Sequence, residues 1–116
     1  MCSKNELKHI TDVISNKAKI IFADKLMSVI LYGSYARGDN HTFSDIDIMI
    51  IANIDSEKLS EYREKLAKIS SDLSMDSEDC ITISIAIQDQ YTFDKFKEVL
   101  PFYQNVINEG VYLYAS

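Results

Sequence analysis

Apolar and polar positions recur along this chain in two periods, and each change of period marks an element. From residue 3 to 25, Leu7, Ile10, Ile14 and Ile21 follow a three-four repeat while Lys4, Lys8, Lys17 and Lys19 fall outside it, which predicts an amphipathic helix. Ser3, with Glu6 three residues on, matches a capping box at its start. Met27 to Tyr32 is a short apolar run that stops at Gly33 and reads as a buried strand. Ser34 to Gly38 opens a short helical turn, and Asp39 to Thr42 is a polar loop of turn-forming residues. Asp45 to Ile51 alternates polar and apolar residues before becoming fully apolar, the pattern of a second strand. Its period of two sets Asp45 and Asp47 on one face, Ile46 and Ile48 on the other.

Asn53 to Ser56 makes a turn, from which Asp55 or Ser56 caps a helix over about residues 56–74. Leu59, Tyr62, Leu66, Ile69 and Leu73 give it one apolar stripe, expected to pack in the core. After an acidic connection from Ser74 to Asp79, Cys80 to Ile87 alternates most regularly, with Ile81, Ile83, Ile85 and Ile87 opposite Cys80, Thr82, Ser84 and Ala86. Thr92 to Leu100 and the segment from Pro101 to Gly110 read as two short helices split by the only proline, with Gly110 as a left-handed cap. Val111 to Tyr114 is a last extended piece. The aromatics that crowd this quarter are expected to close the core, leaving some as an exposed patch for a partner. The order of elements defines an α+β fold, a small mixed β-sheet with helices packed on one face. Asp45 and Asp47 then belong to the face left open.

Composition narrows the field. The 116 residues, 47% of them apolar, suffice for one domain, 1–116, with a real core. No apolar run approaches the roughly 20 residues of a bilayer crossing, and the polar, charged start is not a signal peptide. Cys2 and Cys80 match no metal spacing and suggest free thiols in a reduced compartment, so a cytoplasmic protein is expected. A net charge of −6 argues against a surface that holds polymeric nucleic acid through clustered cations. A nucleotide handled here is a free one.

The candidate chemistry is concentrated between Leu31 and Ile51. A strand that ends in Gly33-Ser34 and turns into helix offers backbone N–H groups and a hydroxyl to an anionic phosphate, and Arg37 brings a forked cation toward it. Asp45 and Asp47, two residues apart on a strand, raise each other's pKa unless a cation is shared between them. Oxygen ligands of this kind suit magnesium or manganese.

Gly33-Ser34, ten residues, then Asp45-Ile46-Asp47, with Ala36-Arg37-Gly38 after the serine and Ser44 before the first acid, resembles the polymerase-beta-type nucleotidyltransferase motif in its minimal form, the MNT proteins. The resemblance extends over the whole chain, including the ending from Pro101-Phe102-Tyr103 to Asn108-Glu109-Gly110-Val111. It implies a mixed sheet with flanking helices, ATP or another nucleoside triphosphate as donor, and magnesium (or manganese) as cofactor. By that match Gly33 and Ser34 hold the triphosphate, Asp45 and Asp47 are metal ligands, and Arg37 supports the phosphates. Minimal members pair with a HEPN partner as toxin and antitoxin, and some transfer AMP to a tyrosine of the toxin, so an oligomer with that partner or with further copies is expected.

Fuller family sites carry a third carboxylate on the next strand, and the polar face of Cys80 to Ile87 has none. By the strand's alternation the acid is expected near Cys80, so either Asp79 reaches in from the strand's entry as third ligand and catalytic group, or the third ligand is missing. No second domain holds an acceptor here, which favours an acceptor with its own binding surface. Two alternatives remain: an antitoxin that neutralises by binding alone, and a nucleotidyltransferase acting on a small molecule.

Overall fold

The computed structural model describes residues 3–41, 44–77 and 81–116. Its elements are α1 (Lys4–Phe22), β1 (Leu26–Tyr32), α2 (Ser34–Arg37), β2 (Ile46–Ala52), α3 (Leu59–Asp76), β3 (Ile83–Asp89), α4 (Gln90–Phe96), α5 (Pro101–Glu109) and β4 (Val111–Ala115). The Ser3 hydroxyl accepts the Glu6 N–H at 3.1 Å and caps α1. That helix stops at Phe22, short of the expected end at residue 25, because Ala23 takes φ 50° and residues 23–25 tighten into a 3-10 turn. A second 3-10 turn over Ser56–Lys58 likewise delays α3 to Leu59. No helix among the described residues is long and apolar enough to cross a membrane.

The strands form one mixed sheet in the order β3-β2-β1-β4. β1 runs antiparallel to both β2 and β4, whereas β2 and β3 are parallel. A parallel pair needs a crossover, and α3 supplies it. On one face Val29 and Leu31 of β1, and Ile46, Ile48 and Ile50 of β2, pack against Ile10, Ile14, Ala18 and Phe22 of α1 and Leu59 and Leu66 of α3. The stripes predicted for the two long helices are thus core. Because Asp47 alternates with Ile46 and Ile48, it is turned to the other face.

That other face is only partly open. Phe93 of α4 and Tyr103 and Val106 of α5 cover Ile30, Met49 and Ile51, so the expectation of helices on one face holds for α1 and α3, while the short C-terminal pair covers part of the second. An apolar helix stripe demands a sheet face but does not choose which one. The C-terminal aromatics divide accordingly: Phe93 and Tyr103 are buried, while Tyr91, Phe102 and Tyr112 stay largely exposed.

The start of β3 and the backbone at Gly110 also differ from the sequence expectation, each for a physical reason. The strand expected over Cys80 to Ile87 runs Ile83–Asp89, and its expected start at Cys80 lies outside the described residues. At Ile81 the backbone is taken by the end of α3: the hydroxyl of its C-cap, Ser77, accepts the Ile81 N–H at 2.9 Å, and the Ser74 hydroxyl donates to the Ile81 carbonyl. Pairing with β2 therefore begins only at Ile46↔Ile83 and runs on to Ala52↔Asp89. Gly110 is not a left-handed cap: its φ is −71°. Glycine suits the position because a Cβ there would come within 2.5 Å of the Ile30 side chain and closer still to the Val106 carbonyl.

Asp89 ends β3 and begins α4. Its carboxylate accepts the Thr92 N–H at 2.9 Å as an N-cap and the Gln88 amide at 2.9 Å, while Gln88 accepts the Tyr103 hydroxyl at 2.8 Å. Burial alone would raise the Asp89 carboxyl, but the hydrogen bonds from Thr92, Gln88 and its own backbone outweigh it and hold the group below its ordinary value. A carboxyl depressed in the folded state stabilises the fold above its unfolded pKa, and that contribution is lost as pH falls through the folded value. Asp89→Ala is expected to cost about 1–2 kcal/mol at pH 7. In urea unfolding at pH 7 and pH 3, the gap between native and variant should narrow in acid; a constant gap would assign the loss to packing.

Candidate active site

β1, β2 and β3 bring three side chains to one level on the partly open face. Tyr32 pairs with Asp47 across the antiparallel ladder, and Asp47 pairs with Ser84 across the parallel one. Asp47 is half-buried, and Asp45, one residue before β2 begins, is exposed. Burial first, and then the neighbouring Asp45 charge, push the Asp47 carboxyl above its ordinary value, while the Arg37 charge pulls it down. Burial, followed by the Asp47 charge, also raises the Tyr32 phenol. Asp45, Asp47 and Arg37 therefore share one electrostatic neighbourhood.

Gly33 begins the turn between β1 and α2 with φ 76° and ψ −158°, a region open essentially to glycine alone. A Cβ on Gly33 would lie 2.5 Å from Asp47 Oδ2. The missing side chain thus lets the Gly33-Ser34 backbone come directly against the carboxylate. α2 is a single turn, closed by Ala36 and Arg37 N–H groups donating to the Gly33 carbonyl at 3.1 Å and by Gly38 in the left-handed conformation. So short a helix carries little macrodipole. What it can offer an anion is the leading N–H groups of its first turn and the Ser34 hydroxyl.

Arg37 is exposed and held from two sides: Nε donates to Asp39 at 3.1 Å and Nη1 to Glu109 at 3.0 Å. Its guanidinium is raised further by those hydrogen bonds, that to Asp39 contributing most. Glu109 belongs to α5, whose Phe102 packs edge-on against Tyr32 with ring centroids 5.7 Å apart. α5 is therefore a wall of this site.

Five of the six residues singled out in the sequence are in the described part, and Gly33, Ser34, Arg37, Asp45 and Asp47 all gather here. The sixth, Asp79, lies outside the described residues. The register also corrects where a third carboxylate belongs. The β3 residue beside Asp47 is Ser84, well after Cys80, and the residues sharing its face, Ala86 and Gln88, are not acids either. Among the described residues no group of three or more His, Cys, Asp or Glu is placed to hold a metal ion.

Sequence reasoning missed Tyr32, Ser84, Phe102 and Glu109. Tyr32 had a signal, since it directly precedes the glycine turn. Glu109 had none, because 72 residues separate it from Arg37.

A mixed sheet whose glycine turn abuts a strand carboxylate, with a second carboxylate beside it, is the arrangement of a nucleotidyl-transfer domain. The chain belongs to the nucleotidyltransferase domain family, whose profile matches residues 12–113. A Methanocaldococcus jannaschii protein named as a candidate protein adenylyltransferase is 32% identical over 110 residues, which span 95% of this chain and 99% of that one. Among solved structures, a nucleotidyltransferase assigned as such from Sulfolobus solfataricus superposes with a TM-score of 0.60 at 18% identity, covering 97% of this chain and 89% of that chain. A complex of a tri-AMPylated Shewanella oneidensis HEPN toxin with an MNT antitoxin contains a chain matched with a TM-score of 0.51 at 22% identity, covering 94% and 72%. These two likenesses establish a common fold, and the family match bears out the resemblance to nucleotidyltransferases.

Proposed function

We propose that this chain transfers AMP from ATP to a hydroxyl, a tyrosine of a HEPN-type partner, and thereby acts as the antitoxin of the pair. The observation that carries the reading is the approach of the Gly33 turn to Asp47, 2.5 Å from where a Cβ would stand. It brings a backbone suited to phosphates and a carboxylate pair suited to a cation into one place. The adenylyltransferase name of the Methanocaldococcus relative and the AMPylated HEPN toxin beside an MNT chain point the same way.

The donor set fits a divalent cation. Asp45 and Asp47 offer hard oxygen ligands, and the Asp47 carboxyl, raised by burial first and then by the Asp45 charge, is a group whose ionised form a cation would stabilise. Magnesium or manganese held by these two residues would supply charge neutralisation of the triphosphate and of the transition state. The remaining work falls to the chain. The Gly33-Ser34 backbone and the Ser34 hydroxyl hold the phosphates, and Arg37 turns from Glu109 and Asp39 toward them, since exposed ion pairs are weak. Tyr32 and Phe102 form an aromatic wall beside Asp47 that suits an aromatic acceptor. The acceptor hydroxyl attacks the α-phosphorus, the bond from it to the pyrophosphate breaks and pyrophosphate leaves, and the acceptor's proton passes to solvent water.

The test is incubation of the protein with its genomic neighbour, labelled ATP and magnesium. Label on a tyrosine of the neighbour supports the reading, and no transfer with native protein sinks it.

Ser84 favours a second reading. With a hydroxyl at the position beside Asp47, the chain has no carboxylate there to take the acceptor's proton, as suits an antitoxin that acts by binding alone. A growth assay separates the two: a protein that only binds still neutralises the toxin after Asp45→Asn and Asp47→Asn. Ser84→Asp is expected to tighten Mn2+ binding on the order of tenfold, because added ligand charge raises affinity at such sites. Electron paramagnetic resonance of free Mn2+ reads this directly, and unchanged binding would remove Ser84 from the site.

A further inference from the structure

A polar cavity, of about 230 Å3, opens at the end of the sheet opposite to Gly33 and Asp47. Its walls come from places where the fold converges. Lys25 stands directly before β1, Asn53 directly after β2, Asp55 directly before and Lys58 at the end of the 3-10 turn that leads to α3, Tyr62 in the first turns of α3, and Tyr91 in the first turn of α4. The Asn53 N–H donates to the Lys25 carbonyl at 2.8 Å and ties two of these walls together. The length of β1 puts roughly 20 Å between this cavity and Gly33, so the two sites are separate.

Charge singles the cavity out. The chain carries a net charge of −6, yet two ammonium groups line this space and one carboxylate, Asp55, does. Among the described residues neither Lys25 nor Lys58 has an ion-pair partner. Two more lysines flank the rings: Lys65 lies 5.6 Å from the Tyr62 centroid and Lys95 lies 6.0 Å from that of Tyr91. Tyr62 is braced from behind by Phe22, with centroids 4.7 Å apart, whereas Tyr91, which also lines the cavity, is 75% exposed as a residue. Cations beside an exposed aromatic face suit a ligand that has an anionic group and a flat ring.

We propose that this cavity is a binding site for a nucleoside monophosphate, independent of the Gly33–Asp47 site. Its volume lies below that of pockets that enclose a whole ligand, which are about 300 Å3 and larger. The phosphate therefore enters between Lys25 and Lys58, and the base lies against the Tyr91 ring at the mouth. The Asn53 amide supplies a donor and an acceptor to the sugar or the base edge. The same chemistry is offered by a free mononucleotide and by the 5′ end of a single strand; with four lysines on a strongly acidic chain, the free mononucleotide is the assigned ligand.

The 15N-labelled full chain is titrated with AMP, inorganic phosphate, adenosine and a 5′-phosphorylated oligoadenylate, without divalent metal, following the amides of Asn53, Lys58, Tyr62 and Tyr91. AMP should move these signals and bind more tightly than phosphate or adenosine. The Lys25→Gln, Lys58→Gln double variant should weaken AMP about tenfold, each lost ion contact being worth a small factor. Tyr91→Leu should weaken AMP and leave phosphate unchanged. All three positions are exposed, and unchanged melting temperatures show that the variants fold. AMP shifts confined to residues 33–38, or phosphate binding as tightly as AMP, would overturn the assignment. An oligoadenylate that binds far more tightly than AMP would overturn it in favour of a nucleic-acid end.

Discussion

Replacing Asp45 and Asp47 together by asparagine is expected to reduce AMP transfer about a thousandfold or more while leaving the protein at least as stable as before. The loss corresponds to several kcal/mol of charge stabilisation in the transition state, which is what a cation held by the two carboxylates would supply. The stability follows from the sign of the electrostatics. Burial and the Asp45 charge raise the Asp47 carboxyl, so its ionised form is less favourable in the folded chain than in the unfolded one. A neutral amide of the same shape removes that penalty. Radiolabel transfer and a thermal melt at neutral pH on the same preparation check both halves. Transfer equal to that of the native protein would detach the two acids from catalysis. A melting temperature well below native would mean that they are structural.

The second large effect is expected at Gly33→Ala, with Gly38→Ala as its comparison. Both glycines have positive φ, 76° and 83°. At Gly38 a Cβ meets nothing within 4 Å, and its φ and ψ are those of an ordinary left-handed cap. Alanine there costs about 1 kcal/mol of backbone strain and should leave nucleotide binding nearly intact. At Gly33 the backbone lies where alanine is strongly disfavoured, at about 1–3 kcal/mol, and the new methyl must also expel the Asp47 carboxylate from its position. Gly33→Ala should therefore lose stability and nucleotide binding together. Urea unfolding and binding of a non-hydrolysable ATP analogue measure the two. Equal behaviour of the variants would mean that the contact between the turn and Asp47 has no role beyond strain.

Much of the site was legible because its parts are local. The strand alternation that buries Ile46 and Ile48 turns Asp47 away from them, and that is decided within five consecutive residues. The stop of an apolar run at Gly33 is local too. Arg37 shows where this logic ends. Its place in a helical turn followed from neighbouring residues, but its partner Glu109 comes from the far end of the chain, and no periodicity links them. Ser84 is similar. Alternation assigned it to the right face, but only the register with β2 set it, and not the residue at Cys80, beside Asp47.

The sequence by itself determined the elements, the two long apolar helix stripes, and the spacing that places a glycine turn and two carboxylates at adjoining strand ends. Each depends on backbone periodicity and on residues near in the chain. The tertiary structure decided which sheet face α4 and α5 cover, which residue stands beside Asp47, what holds Arg37, and that Gly110 serves close packing and not a left-handed turn. These depend on strand register and on contacts between distant segments, where many pairings satisfy the same local pattern and the packing of the whole core selects one.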